Sequence, residues 1–297
     1  MIQGTRKVVV VMHRLKDQPW GARLKEELET SLADHPEISC EFFDPEGNPI
    51  LQAQRVEEAL QAAVDALVVL PLDAHRIRAA LRAHPTSDVP IIALDADLDD
   101  PSLYRTLILA DNRQFGRKMG EFFLDVAGGS AELVEIRGVP TTTGAQHRSA
   151  GFREATAGSK VRIVESLVGN WVYGQAREEF ARLLPRLPRL DGVFAQNDEM
   201  ARAAWDAAQE AGRSDELLIT GIDALKGEHG LQLVMQGKLA ATLLNPIPGR
   251  AAASALLAIL SGEPCLPRIV LQTSMFRSHE RIRAWQEARR ARGVHER

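Results

Sequence analysis

One run near the start of the chain constrains the fold more than any other feature. Val8-Val9-Val10-Val11-Met12 is continuously apolar and mostly β-branched, the pattern of a strand with no face left for water. Such a strand needs helices packed above and below it, and the following segments supply them. Residues 20–32 repeat Leu24, Leu28 and Leu32 at four-residue intervals, the stripe of a core-facing helix. Strand-like runs at 38–43, 66–70 and 89–94 then alternate with helix-period segments at 52–63 and 74–83. The order begins again with a helix over 112–127, for which Asp111 is the expected cap. Strands are expected at 133–136, 161–164, 193–195 and 217–220, with helices near 147–156, 173–184, 199–212 and 227–236. A tail follows: an Ala- and Leu-rich helix over 250–260 stopped by Gly262, a strand over 268–271, and a final Arg-rich helix over 280–292. Two βαβ arrays of similar size, 7–110 and 111–245, repeat the order of elements without repeating the sequence. No Gly/Ser linker divides them, which points to structured crossings and a crevice at the carboxyl ends of the strands.

At 297 residues the chain is long enough for two such lobes, and its net charge of −4 offers no basic field for a nucleic-acid backbone. No apolar run approaches a membrane span, and Met1 to Lys7 carries no leader-type apolar core. The chain is therefore expected either to be cytoplasmic or to have been processed. Cys40 and Cys265 are the only cysteines, too few for a disulfide framework or a thiolate metal site. Phosphate-loop, dinucleotide and nucleophile-elbow motifs are missing, and no His pair has metal spacing, so neither catalysis nor a cofactor is expected. His13, His75 and His147 could each serve as a functional ligand, but ordinary surface or core histidines are expected.

Polar residues do recur at strand ends. Asp95 closes 91–94, Asn197 follows Val193-Phe194-Ala195-Gln196, Asp223 follows 218–222 and Asn245 follows 239–244. In parallel sheets such ends share one edge, so these four are candidates for a polar ligand site. Each residue type also caps helices or opens turns. For the helix starting at Glu199, Asp198 is the expected cap, which leaves Asn197 for another role.

The stretches Val193-Phe194-Ala195-Gln196-Asn197-Asp198-Glu199-Met200-Ala201 and Gly237-Lys238-Leu239-Ala240-Ala241-Thr242 resemble the type I periplasmic sugar-binding proteins. So do Val89 to Asp95, Ala110-Asp111-Asn112, Arg148-Ser149-Ala150-Gly151-Phe152 and Thr220-Gly221-Ile222-Asp223. Together they span about residues 7–275 in a fixed order. The resemblance implies an α/β fold of two Rossmann-like, doubly wound parallel-sheet lobes joined by a three-crossing hinge. The first lobe would be 1–110 plus 246–271, the second 111–245 plus 272–297. It further implies a monomer that closes on a neutral sugar or polyol and hands it to the permease of an ABC transporter, with membrane contact only through that permease and an extracytoplasmic location. The alternative is a ligand-sensing module feeding a membrane kinase or regulator. A complete DNA-binding repressor is not expected, because only six residues precede Lys7.

By the same resemblance Asp95 and Asp223 accept hydrogen bonds from sugar hydroxyls, Arg148 donates to them, and Asn197 and Asn245 are the amide positions. Trp20 and Trp171 would be the aromatic walls. Physically, a hydroxyl donates and accepts at once and so suits planar Asp, Asn and Arg groups, while C–H faces suit flat rings. Trp20 would otherwise staple a helix start and Trp171 anchor a loop; Asn170 and Tyr173 beside it are weaker candidates. The chain departs from the family at Ala96 and Gln146, where arginines are usual, at Gly21, where a second aromatic is usual, and at Gln18 and Asn245, where Asn and Gln are. One charged donor and one flat wall are lost, which points away from ribose, and the space opened at Gly21 and Ala96 points to a larger or differently substituted sugar or polyol. Arg14 and Lys16 either replace the donor or lie in solvent, the latter being expected.

Overall fold

The computed structural model describes residues 5–15, 18–62, 64–85, 88–227 and 230–292. The first half runs β1 (Arg6–Val11), α1 (Pro19–Ser31), β2 (Ile38–Phe43), α2 (Pro49–Gln61), β3 (Ala66–Val69), α3 (Ala74–Arg82), β4 (Ile91–Leu94) and β5 (Thr106–Ala110). The second continues with α4 (Asn112–Val126), β6 (Ser130–Arg137), α5 (Thr143–Thr156), β7 (Lys160–Val168), α6 (Tyr173–Leu183), β8 (Gly192–Ala195), α7 (Asp198–Glu210), β9 (Leu218–Asp223), α8 (Gly230–Met235) and β10 (Ala241–Leu244). The tail is α9 (Gly249–Leu260), β11 (Arg268–Leu271), β12 (Met275–Arg277) and α10 (His279–Ala291). Two compact units result: Met1–Ala110 with Thr141–Thr143 and Pro246–Gln272, and Asp111–Pro140 with Gly144–Asn245 and Thr273–Arg297.

The first unit is a six-stranded sheet in the order β11-β5-β4-β3-β1-β2, parallel throughout. Pleating sends alternate residues of β1 to opposite layers. Val8, Val10 and Met12 join Leu24 and Leu28 of α1 and Ala252, Ala253 and Leu256 of α9. Val9 and Val11 join Val56 of α2 and Ile77 and Leu81 of α3. The unbroken apolar run is thus explained by two cores rather than one. Helix α9 can lie close to α1 because Gly249 has no side chain; a Cβ there would meet Glu27 Cβ at 2.5 Å.

The second unit's sheet runs β12-β10-β9-β8-β6-β7. It is parallel, as expected, with the short β12 added antiparallel to β10 at its edge. Strands β5 and β12 were not foreseen from the sequence. Helices α4 and α5 touch through glycines: a Cβ at Gly116 would come within 2.0 Å of the Arg148 carbonyl, and one at Gly151 within 2.0 Å of the Arg113 carbonyl. In both sheets the first strand lies between the second and the third, so the connections leave it in opposite directions. These are the topological switch points, β1/β3 and β6/β8.

The Arg-rich last helix is only partly the solvated element its composition suggests: Arg283, Arg290 and Arg292 are exposed, whereas Arg281 and Arg289 are not. Trp285 is buried and donates from Nε1 to the carbonyls of Asp191 and Glu216, both at 3.0 Å. Arg281 is also buried; it donates to the carbonyls of Ser214 and Leu217 and pairs with Asp215. Arg289 reaches the carbonyls of Ala127 (2.8 Å) and Ser130 (2.5 Å) and the Asp191 carboxylate (3.2 Å). Helix α10 therefore closes the amino edge of the second sheet, because arginine's planar fork satisfies carbonyls that parallel strands leave open at their starts. Trp285→Ala should lower the unfolding free energy by about 3–5 kcal/mol, the range for emptying an aromatic core site. Denaturant titration checks this, and a loss under about 1 kcal/mol would mark the helix as dispensable.

Candidate functional site

The carboxyl edge of the first sheet carries two of the expected residues. Asp95 follows β4, half-buried, with a backbone φ of 59° and its N–H on the Ile108 carbonyl (2.9 Å). Trp20 sits at the second position of α1, half-buried and packed against the core layer of Val8, Val10 and Leu24. Beneath them the buried Gln52 ties two strand ends: its Nε2 donates to the carbonyls of Met12 (2.7 Å) and Leu70 (2.8 Å), and its Oε1 accepts from Leu72 N–H (2.7 Å). His13, just past β1, donates from Nε2 to the Pro71 carbonyl just past β3 (2.5 Å). Thr141, grouped with this unit, donates to the Leu72 carbonyl (3.1 Å).

The space read into Gly21 is not there. A Cβ on Gly21 would meet the Arg14 carbonyl at 2.6 Å, so the loop's own backbone takes up the place of a second ring. Ala96 is buried. Arg14 does not replace the lost donor: its guanidinium lies on the turn at Glu46 and Gly47 and donates to the Glu46 carbonyl (2.7 Å). Lys16 lies outside the described residues.

The second sheet's carboxyl edge gathers Arg148, Trp171, Asn197, Asp223 and Asn245. Arg148, buried on α5, donates from Nε to Asn112 Oδ1 (2.8 Å) and from Nη1 to the Gln196 carbonyl. Its guanidinium stacks 5.2 Å from the Trp171 ring centre and 5.4 Å from that of Phe115. Trp171 in turn lies against Gly138, where a Cβ would penetrate the indole at 2.0 Å. Asn245 Nδ2 donates to Asp223 Oδ1 (3.2 Å), joining the ends of β9 and β10.

Two polar hubs below this edge escaped the sequence analysis. Gln196, at the β6/β8 switch point, accepts from Gly138 N–H (3.0 Å) and donates to Glu135, the Ala145 carbonyl and Ser149. Glu135 is buried in mid-strand and also accepts from Ser149, Ser166 and Arg153. A Gln and a Glu at inward positions of otherwise apolar strands were the available signal, since such groups are buried only with partners.

The cap of α7 is also a correction. Asn197, not Asp198, accepts the Met200 N–H (2.9 Å), while its Nδ2 donates to the Trp171 carbonyl (3.1 Å). Asn197 thereby both caps α7 and holds the Trp171 loop. Asp198 is needed elsewhere: its carboxyl accepts from Ala224 N–H (2.7 Å) and Thr242 Oγ1 (2.7 Å), and any Cβ at Gly221 or Gly230 would collide with it. Among the described residues, no cluster of His, Cys, Asp or Glu could hold a metal ion.

Burial lifts the Asp198 carboxyl to about 6, against the opposing pull of Thr242, the Ala224 N–H and Arg148 and with a smaller push from Glu199. The folded state thus holds this proton more tightly than the unfolded chain, whose value is about 3.9. Stability from this group is complete below about pH 4 and is lost as the pH rises through about 6. Asn at this position reproduces the protonated form, accepting from Ala224 and donating to Thr242 Oγ1. Asp198→Asn should therefore gain stability on the wild type as the pH is raised from 4 to 6.5. Melting curves of the two proteins that stay parallel over that window would contradict the assignment.

The periplasmic binding protein domain family matches residues 8–264. The ribose import binding protein of Escherichia coli K12 is 29% identical over 211 residues, covering 71% of this chain and 70% of that one. The xylitol-binding protein of Mycolicibacterium smegmatis is 29% identical over 196 residues, 65% of this chain and 55% of its own length. Among solved structures, the fructose-binding periplasmic domain of a hybrid two-component system superposes with a TM-score of 0.85 at 25% identity, covering 97% of this chain and 96% of that one. These relatives are binding proteins, and with the match running through both units the chain belongs to the periplasmic binding protein domain family.

Proposed function

We propose that this protein is the sugar- or polyol-binding component of an ABC importer, closing on a neutral polyhydroxyl ligand outside the cytoplasm. The residues assigned to the ligand are Trp20 and Asp95 in the first unit and Arg148, Trp171, Asn197, Asp223 and Asn245 in the second. The observation that carries the assignment is where the backbone is strained. Seven non-glycine residues among those described have positive φ, and Asp95 (59°), Trp171 (67°) and Asp223 (135°) are three of them, Asp95 and Asp223 at strand ends and Trp171 in the loop after β7. Their neighbours Asn170 and Ala224 are two more. Conformations that cost on the order of 1–3 kcal/mol each are kept where they aim a side chain at a ligand. The names of the relatives, for ribose and xylitol, support the ligand class, and the E. coli relative's name supports import. No helix among the described residues is long and apolar enough to cross a membrane, so membrane contact would run through the permease.

A second reading has one observation behind it, the similarity to the fructose-binding domain of a two-component system. It makes the same ligand contacts but feeds a kinase. Loss of labelled-sugar uptake on deleting the gene supports import; intact uptake with a lost transcriptional response supports sensing.

A thermal-shift screen of pentoses, hexoses and polyols identifies the ligand, because binding to the folded state alone raises its stability with concentration. Asp95→Ala and Asp223→Ala should each abolish calorimetric binding of the sugar found, with the apo melting temperature changed little. Wild-type affinity in either variant removes that residue from the site. Trp20→Ala should weaken binding by about 1–3 kcal/mol if the ring stacks on the sugar, taking base stacking on aromatic side chains as the guide. An unchanged affinity would leave Trp20 as the staple of α1.

A further inference from the structure

We propose that His13 is a further ligand residue, and that its Nδ1 accepts a hydrogen bond from a second sugar hydroxyl next to the one held by Asp95. The inference rests on the sugar-binding function proposed above. Its ground is the position and tautomer of one side chain, which separate it from His75 and His147.

The position is the switch point of the first sheet. β1 lies between β2 and β3, and the chain leaves it toward both sides, so the ends of β1 and β3 border the place where open α/β sheets take their ligands. His13 stands two residues beyond β1, and its ring spans to Pro71, two residues beyond β3. On the next strand over, β4, stands Asp95, close enough for its charge to act on the imidazole.

The partner decides the tautomer. A carbonyl oxygen can only accept, so the 2.5 Å contact to Pro71 places a proton on Nε2. In a neutral ring Nδ1 is then a lone-pair acceptor. Burial holds the imidazole below its usual range, outweighing the upward pulls of the Pro71 carbonyl and Asp95, so the neutral ring prevails at pH 7. Among the described residues the Pro71 carbonyl is the ring's hydrogen-bond partner, and it engages Nε2 only.

The chemistry that results is selective. Asp95 and His13 Nδ1 are both acceptors, and Ala96 beside Asp95 carries no charge. This edge therefore asks the ligand for two adjacent O–H donors, a neutral diol. A phosphate or carboxylate oxygen has no proton to give these two acceptors, so it suits them less than a hydroxyl.

Two isosteric substitutions separate a ligand role from a structural one. His13→Gln keeps an N–H at the ε position for Pro71 and removes the δ acceptor. His13→Asn keeps an acceptor at the δ position and gives up the Pro71 bond. Wild type and variants are titrated calorimetrically with D-ribose, xylitol, D-fructose and L-arabinose, and apo melting curves establish that each is folded. For the sugars that bind the wild type, His13→Gln should weaken affinity at least tenfold while His13→Asn stays within about threefold. The opposite order would make His13 a bolt between β1 and β3 and overturn the proposal, as would equal affinities or equal losses in the two variants. Wild type that binds none of the four and gives no shift in the wider screen overturns the sugar-binding function itself. Binding without the Gln/Asn difference overturns only the role of His13.

Discussion

Burial of both sheet faces governs where this chain can do chemistry. Each central strand gives its alternate side chains to two apolar layers, as β1 does with Val8, Val10 and Met12 against Val9 and Val11. Polar side chains can then stand at strand ends, where helices and loops begin, or inside the sheet with every partner supplied. The molecule uses both options. Strand ends carry His13, Asp95, Asn197, Asp223 and Asn245, while Glu135, Gln196, Gln52 and Asp198 lie buried beneath them, holding carbonyls and N–H groups of the neighbouring strands and loops. The inner set gives the outer set its geometry. Arg148 illustrates this: glycine contacts bring α5 onto α4, Asn112 takes its Nε, the Gln196 carbonyl takes its Nη1, and Trp171 lies over the guanidinium.

The two units solve this problem with one strand order and different residues. In the first, the switch point is bridged by an imidazole; in the second, by the Gln196 amide to Gly138 N–H. The order β2-β1-β3-β4-β5 in one sheet matches β7-β6-β8-β9-β10 in the other, so the duplication is of topology, with side chains free to diverge at the edge.

Much of this was legible in the residues. Unbroken apolar runs mark strands covered on both faces, and the leucine stripe of α1 marks a core-facing helix, because burial imposes those periods directly. Strand β12 was not legible: three residues joined to β10 leave no period to detect. The cap of α7 was missed by one position because Asn197 and Asp198 are both good cap types, and only the tertiary demand of Ala224 N–H and Thr242 for a carboxylate separates them. Gly21 shows a different error. A small residue in sequence looks like room, yet the Arg14 carbonyl already lies where a side chain at Gly21 would go. Counting arginines in α10 suggested a wet surface, while Trp285 in the same helix carried the contrary signal.

The seating of α10 has a practical side. Its anchors, the carbonyls of Ala127, Ser130, Asp191 and Glu216, all precede or open strands of the second sheet, whereas Arg148, Asn197 and Asp223 are gathered where those strands finish. A fluorophore, affinity handle or surface tether attached at Arg292 would hang from the far rim of this unit. The protein could be immobilised there as a reporter of dissolved sugar without obstructing the residues assigned to recognise it.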